Sequence, residues 1–277
     1  GMPEPRPQIT MQDVDGIQLR TAFWPAKLAN DNLPLLFFNG IGANLELTQG
    51  LGDMFPDRDI ITFDVPGVGK SPVTQWPYRP WMLARWARKL LDQFHIDAVD
   101  VMGVSWGGAL AQQFAFQYRN RVGKLILCAT SAGMTMVPGR PKSLSKMVDA
   151  RRYTDPEFMR DSFSSLYGDA VDGEVGRHID NLLPPHPRGY FYQLLAFVGW
   201  SSLPFIRFLK MPSLVIMGDE DTIVPVANGH ILKLGLPNSR LHVIEGGGHL
   251  FLVSRAAETA DIIREFLDAE ELLAEAA

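Results

Sequence analysis

Short apolar runs that alternate with amphipathic stretches constrain this chain more than any other feature of it. Leu33-Pro-Leu-Leu-Phe-Phe38, Asp59-Ile-Ile-Thr-Phe-Asp64, Ala98-Val-Asp-Val-Met-Gly-Val104 and Lys124-Leu-Ile-Leu-Cys-Ala129 have the composition that strands buried on both faces require. Between them, residues 81–94 and 109–118 repeat apolar side chains at three- and four-residue steps, the period of a helix with one buried face. Strands that alternate with helices build a parallel sheet covered on both sides. Upstream, two apolar-leaning runs, residues 9–14 and 17–24, flank Asp15-Gly16, a pair that tolerates positive φ and closes hairpins. The chain is expected to open on antiparallel strands and continue as an α/β core.

The alternation stops near Gly133 and resumes at Ser213-Leu-Val-Ile-Met217. A helix from about Ala227, the strand Leu241-His-Val-Ile244 and a last helix from about Ala256 then follow. The interval, residues 134–210, is expected to be an inserted helical cap on a core formed by residues 1–133 and 211–277. A length of 277 residues fits one core with one such insertion.

Composition excludes several function classes. A net charge of −5, with Lys and Arg scattered along the chain, offers no attraction to nucleic acid. The single cysteine, Cys128, rules out an intrachain disulfide and reads as a packed strand residue. The opening Gly1-Met-Pro-Glu-Pro-Arg-Pro-Gln8 lacks the apolar stretch of a signal peptide, and Gly1 reads as a tag remnant, so a cytoplasmic location is expected. Residues 191–209 are the most apolar stretch, but Gln193, Gly199, the Ser201-Ser202 pair, Pro204 and Arg207 break it, which argues against an integral membrane protein.

Gly103-Val-Ser-Trp-Gly107 falls between a predicted strand and a predicted helix, the setting of a nucleophile elbow. A tight turn there lifts the Ser105 hydroxyl above the sheet, and Gly103, Gly107 and Gly108 leave room where side chains would collide. The bland alternative is a glycine-rich turn whose serine caps the next helix. A serine hydroxyl needs a base before it can attack. His249 is the candidate, because Glu245-Gly-Gly-Gly-His249 directly follows the last predicted strand on a flexible loop. His242 lies within that strand and is expected to be packed.

The acid behind the histidine should come from Gly218-Asp-Glu-Asp-Thr-Ile-Val-Pro225, the turn after the preceding strand. Asp221 is chosen as the deepest carboxylate in that turn, with Asp219 as the second candidate. The order Ser105, Asp221, His249 is the one expected of this strand–turn–helix arrangement. Two backbone N–H groups should face the developing oxyanion: Trp106, after the nucleophile, and Ile41, in the turn Asn39-Gly-Ile-Gly42. Asp64-Val-Pro-Gly-Val-Gly-Lys-Ser71 ends like a phosphate-binding loop, but aspartate stands where that motif needs glycine. Nor do the histidines fall at metal-ligand spacing, so neither cofactor nor metal is expected.

These residues resemble the intracellular poly(3-hydroxyalkanoate) depolymerases of the α/β-hydrolase superfamily. The resemblance runs through Phe38-Asn-Gly-Ile-Gly-Ala-Asn-Leu-Glu-Leu47, Phe63-Asp-Val-Pro-Gly-Val-Gly69, Gly103-Val-Ser-Trp-Gly-Gly-Ala-Leu-Ala-Gln-Gln-Phe-Ala115 and Gly246-Gly-Gly-His-Leu-Phe-Leu252. It extends more faintly to Val137-Pro-Gly-Arg-Pro-Lys142, Arg151-Arg-Tyr153 and Gly189-Tyr-Phe-Tyr-Gln-Leu194 in the cap. Many relatives in the superfamily carry His-Gly where this chain, like the depolymerases, has Asn39-Gly40.

The resemblance implies an α/β-hydrolase fold and a serine hydrolase that cleaves medium-chain polyester through an acyl-enzyme, with attachment to a hydrophobic storage granule. A small-molecule esterase, a carbon–carbon bond hydrolase and a non-catalytic ligand-binding relative are the alternatives, since one fold hosts many activities. Ser105 argues against dehalogenases and epoxide hydrolases, which resemble this fold but carry aspartate at the elbow. The cap's aromatics, among them Tyr153, Phe158, Phe163, Tyr167, Tyr190, Phe191, Tyr192, Phe197, Trp200, Phe205 and Phe208, suit an apolar acyl chain or form the cap's own core.

Overall fold

The computed structural model describes residues 8–149, 155 and 181–270. Its chain opens on the hairpin that the sequence signals. Asp15 and Gly16 take positive φ, 54° and 82°, and join β1 (Gln8–Val14) to β2 (Ile17–Trp24) in a two-residue turn. The core strands follow as β3 (Leu35–Phe38), β4 (Ile60–Phe63), β5 (Val99–Val104), β6 (Val122–Cys128), β7 (Ser213–Gly218) and β8 (Ser239–Ile244). They form one sheet of order β1-β2-β4-β3-β5-β6-β7-β8, parallel from β4 onward and antiparallel where β2 meets its two neighbours. β3 starts later than the apolar run because Pro34 has no N–H to give a ladder, and its carbonyl instead accepts from Asp100 N.

Every residue of β3, β4, β5 and β7 is buried. Alternate side chains point to opposite faces, so Leu36, Phe38 and Val101 join one apolar cluster and Leu35, Phe37 and Met102 the other. β8 is the sheet's edge, and there the expectation for His242 fails: it is exposed, because one flank of an edge strand faces water.

Among the described residues the helices are α1 (Gln49–Met54), α2 (Pro80–Gln93), α3 (Trp106–Gln117), α4 (Pro141–Val148), α5 (Pro187–Ala196), α6 (Ala227–Gly235), α7 (Phe251–Ser254) and α8 (Ala256–Asp268). Pro80, Pro141 and Pro187 each stand in the first turn of their helix, where the missing N–H costs nothing. α2 buries one face, whereas α3 buries residues all round it, including Leu110, Ala111, Gln112 and Phe114. A helix apolar on every side needs covering on both. The sheet covers α3 below, and Phe116 stacks on Phe205 of the insertion at 4.3 Å between ring centroids.

α4 and α5 lie in the interval between β6 and β7, where an insertion is expected. Tyr153, Phe158, Phe163 and Tyr167 fall outside the described residues. Most of the described cap aromatics pack inward: Trp106 meets Phe197 edge-on, Phe197 meets Trp200, and Trp200 meets Phe205. Phe191 and Phe208 remain exposed. The segment that mimics a phosphate-binding loop turns out to seat α5. A Cβ on Gly67 would lie 2.5 Å from Gly189 Cα, so only a glycine pair allows this backbone contact, and His186 N donates to Gly67 O.

Candidate active site

β5 runs into α3 through Ser105, whose backbone takes φ 56° and ψ −116°. Such a conformation is strained for a residue with a Cβ. It persists here because both sides are fixed: Ser105 N donates to Cys128 O at 2.8 Å, and Thr130 Oγ1 donates to Ser105 O at 2.7 Å. The flanking glycines are required by contact. A Cβ would sit 2.2 Å from Gly107 O if placed on Gly103, 2.1 Å from Phe38 O on Gly107, and 2.5 Å from Thr130 Cβ on Gly108.

His249 lies on the loop after β8 and is 2% exposed; Asp221 lies on the turn after β7 and is 5% exposed. The two loops are stitched together, since Glu220 N donates to Gly247 O and Asp219 N to Ile244 O. Gly218 makes this possible: a Cβ there would meet Gly247 O at 2.2 Å. His249 Nδ1 stands 2.8 Å from Asp221 Oδ2, and His249 Nε2 stands 2.9 Å from Ser105 Oγ. A carboxylate can only accept, so Nδ1–H donates to it, which leaves Nε2 to accept the serine proton.

Asp221 Oδ1 accepts from Ile223 N and Val224 N, both at 2.9 Å, which holds the carboxylate in one orientation. Asp219, the second candidate, instead accepts from Gly246 N at 2.8 Å and braces the histidine loop. The structure thus brings Ser105, His249 and Asp221 into one hydrogen-bonded chain and leaves Asp219 outside it. Cys128 is fully buried in β6, and burial pushes its thiol up to about 12, so it has no nucleophilic role near neutral pH.

Ile41 packs against Tyr190 of α5, and Trp106, the residue after the serine, packs against this pair. Trp106 is the first residue of α3, where N–H groups have no carbonyl one turn back to receive them. Asn39 shapes the turn that carries Ile41: its Oδ1 accepts from Gly40 N at 2.9 Å, and its Nδ2 donates to Asn44 O at 3.2 Å. A cavity of about 500 Å³ opens beside this turn. Its walls include Asn39, Leu47, Leu51, Val104, Leu250 and Leu252, so it borders the immediate chain neighbours of Ser105 and His249.

Sequence reasoning missed Gln193, Thr130 and Asn44, all of which hold the site in place. Asn44 is fully buried; its side chain donates to Glu46 and to Asn181 O and accepts from Leu183 N. Gln193 could have been noticed as the one polar residue in Tyr190-Phe-Tyr-Gln-Leu-Leu195. Among the described residues, no helix is long and apolar enough to cross a membrane.

A sharp strand-to-helix serine, a base after the last strand and an acid after the strand before it define an α/β hydrolase. A family described as "alpha/beta hydrolase fold" matches residues 34–256, and the chain belongs to it. Within that family the chain is 43% identical over 273 residues to poly(3-hydroxyalkanoate) depolymerase of Ectopseudomonas oleovorans, covering 97% of this chain and 95% of that one. It is 27% identical to a 2-hydroxy-6-oxononadienedioate/2-hydroxy-6-oxononatrienedioate hydrolase of Paraburkholderia phymatum, covering 91% of this chain and 92% of the other. An esterase from Exiguobacterium antarcticum superposes with a TM-score of 0.79 at 16% identity, covering 94% of this chain and 98% of that one, a likeness of fold alone.

Proposed function

We propose that this chain is a serine hydrolase that cleaves the ester bonds of a poly(3-hydroxyalkanoate) with medium-length side chains. The observation that carries the chemistry is the hydrogen-bonded chain Ser105–His249–Asp221, at 2.9 and 2.8 Å, on an elbow that nothing but glycine can flank. Ser105 Oγ attacks the ester carbonyl carbon as His249 Nε2 takes its proton. The N–H groups of Ile41 and Trp106 stabilise the tetrahedral oxyanion. The carbon–oxygen bond to the alcohol breaks, and the alkoxide leaves with the proton held on His249. Water, deprotonated by the same imidazole, then attacks the acyl-enzyme, and Ser105 recovers its proton as the acid departs. Asp221 keeps the imidazole in the tautomer this requires and stabilises its charged form.

The substrate assignment draws on the 43% identity to the depolymerase, which spans nearly the whole of both chains. The cavity beside Asn39 and Leu250, with Leu47, Leu51, Val104 and Leu252 on its apolar side, offers room for an acyl side chain. Among the described residues of the insertion, Asn181 lines this space. Exposed Trp76, Trp81, Phe191 and Val198 surround the seam between cap and core, and Arg79 joins the two by donating to Leu195 O and Val198 O. Such a greasy rim suits contact with an insoluble polymer surface. A cytoplasmic enzyme bound to storage granules follows from that substrate.

The test is acid release from amorphous medium-chain polymer, beside a short-chain polyester and a short p-nitrophenyl ester. Release from the medium-chain polymer is expected, with Ser105→Ala lowering turnover roughly 10⁶-fold. Activity confined to the soluble ester would move the function to a small-molecule esterase. The hydrolases of 2-hydroxy-6-oxo dienedioates among the relatives favour a second reading, carbon–carbon bond hydrolysis. Turnover of a vinylogous diketone without ester cleavage would establish it instead.

A further inference from the structure

We propose that Gln193 is a positioning residue that couples the oxyanion hole to the seating of the cap. This inference rests on the reading of Ser105 as the nucleophile of an ester hydrolase. The two donors of the hole have unequal support. Trp106 N–H is fixed by the elbow and by the start of α3. Ile41 N–H rides on a turn rather than on a strand or helix, and the neighbouring Gly42 sits at φ 67°.

Backbone planarity makes the support of that turn a question of which peptide groups are pinned. On the core side, Asn39 Oδ1 holds Gly40 N. On the other side, Gln193 Oε1 accepts from Gly42 N at 2.8 Å. The peptide that presents Ile41 N–H is tied within the turn, since Gly40 O accepts from Ala43 N at 3.2 Å, and it lies between two anchored peptides, one held from the core and one from the cap. Gln193 is 1% exposed and sits on α5, which the Gly67–Gly189 contact brings down onto the core.

The same residue also reaches the indole of Trp106, whose backbone N–H is the second donor. Its backbone oxygen accepts from Trp106 Nε1 at 2.9 Å, while Tyr190, one turn earlier on α5, packs on Ile41 and Trp106 together. One helix of the cap thus grips both halves of the hole. When α5 is seated, both donors converge; when it lifts, Gly42 loses its acceptor and the loop donor keeps only its core-side ties. Hydrolysis then requires a closed cap, and water-exposed Ser105 in an opened enzyme stays unproductive.

The experiment compares Gln193→Met, which fills the same space without a comparable acceptor, with Gln193→Glu, which keeps a carbonyl-type acceptor there in either protonation state. The wild type and both variants are assayed on a short p-nitrophenyl ester and titrated with a trifluoromethyl ketone, which adds to the serine and creates the oxyanion. A donor displaced by about an ångström costs on the order of 10²-fold. The methionine variant should therefore lose roughly 10- to 100-fold in kcat with KM changed less than about threefold. Its affinity for the ketone should fall in parallel, and the glutamate variant should recover most of both.

Equal kcat in the two variants, a loss confined to KM, or unchanged ketone affinity would overturn the coupling. A wild type that cleaves the ester while Gln193→Met does so equally well rejects this inference alone. A wild type inert to both ester and ketone rejects the hydrolase reading and this inference with it. If the methionine variant does not fold, Gln193→Ala takes its place in the same comparison.

Discussion

Ser105, His249 and Asp221 stand on the sheet, whereas Tyr190 and Gln193 reach the same spot from the insertion, and the two groups are held by different means. The sheet side is held from within. β5 and β7, which carry Ser105 and Asp221, are buried throughout, the elbow is closed by two hydrogen bonds, and Gly103, Gly107 and Gly218 allow backbone contacts that no side chain could enter. The cap side is held at a seam by the Gly67–Gly189 contact, the Gln193 bonds and the edge-on ring of Phe197 against Trp106. A sheet side assembled this way presents chemistry that is always in place. The other half depends instead on contacts made across the seam between insertion and core, and so on the cap's position.

The sharpest way to break that comparison is to disarm the sheet side while leaving its shape alone. Asp221→Asn should lower kcat by about 10⁴-fold, since the amide no longer fixes the tautomer that leaves Nε2 free to accept. Asp219→Asn should cost less than about tenfold, because it braces the loop through a single exposed hydrogen bond to Gly246 N. Steady-state kinetics on one soluble ester decide it. A crippled Asp219→Asn beside an active Asp221→Asn would reverse the assignment.

The next largest effect separates the two sides by stability. Gly107→Ala forces a methyl to within 2.1 Å of Phe38 O, between two pieces of backbone that the sheet fixes, and should destabilise the protein by about 3 kcal/mol or more. Gly189→Ala meets Gly67 Cα at 2.6 Å, but there α5 can shift as a body. The melting temperature should then change little while ester turnover falls at least severalfold, as the Gln193 bonds stretch. Thermal melts paired with kinetics check both, and a Gly189→Ala protein with full activity would show that the seam tolerates displacement.

This division also explains what could be read from sequence. The hairpin, the order of strands and helices and the triad all follow from local signals, because each functional side chain stands at the end of a strand that announces itself by composition. In the sequence Asp221 is preferred to Asp219 as the deepest carboxylate in its turn, and the structure supplies what the sequence does not show: Ile223 N and Val224 N hold it. The seam was not legible. Gly67 and Gly189 are far apart in the chain, and neither glycine says which backbone it will touch. α1 was hidden by Gly50 and Gly52, and its short length leaves too few turns for a period to emerge. His242 misled because a strand's apolar run does not reveal that the strand lies at an edge.

The smallest predicted effect concerns the aspartate beneath the seam. Asp64 follows β4, is fully buried, and accepts from Leu45 N at 2.7 Å and Lys70 N at 3.1 Å, with the Arg20 guanidinium 3.5 Å away. It joins the loop after Ile41 to the turn that receives α5. Burial raises its carboxyl from 3.8 to about 6, against the opposing pull of those N–H groups and Arg20. With the folded value above the unfolded one, the native state holds the proton more tightly, so the contribution from Asp64 is greatest below pH 4 and is lost as pH rises through about 6. The loss amounts to at most about 3 kcal/mol. Asp64→Asn should remove that part of the slope, so that the stability gap between wild type and variant, read from urea melts, narrows between pH 5 and pH 8 on the order of 1–3 kcal/mol. A gap that stays constant with pH would mean that Asp64 titrates alike folded and unfolded. The network under the seam would then be as indifferent to pH as the apolar packing of the sheet, and the two sides would differ in geometry alone.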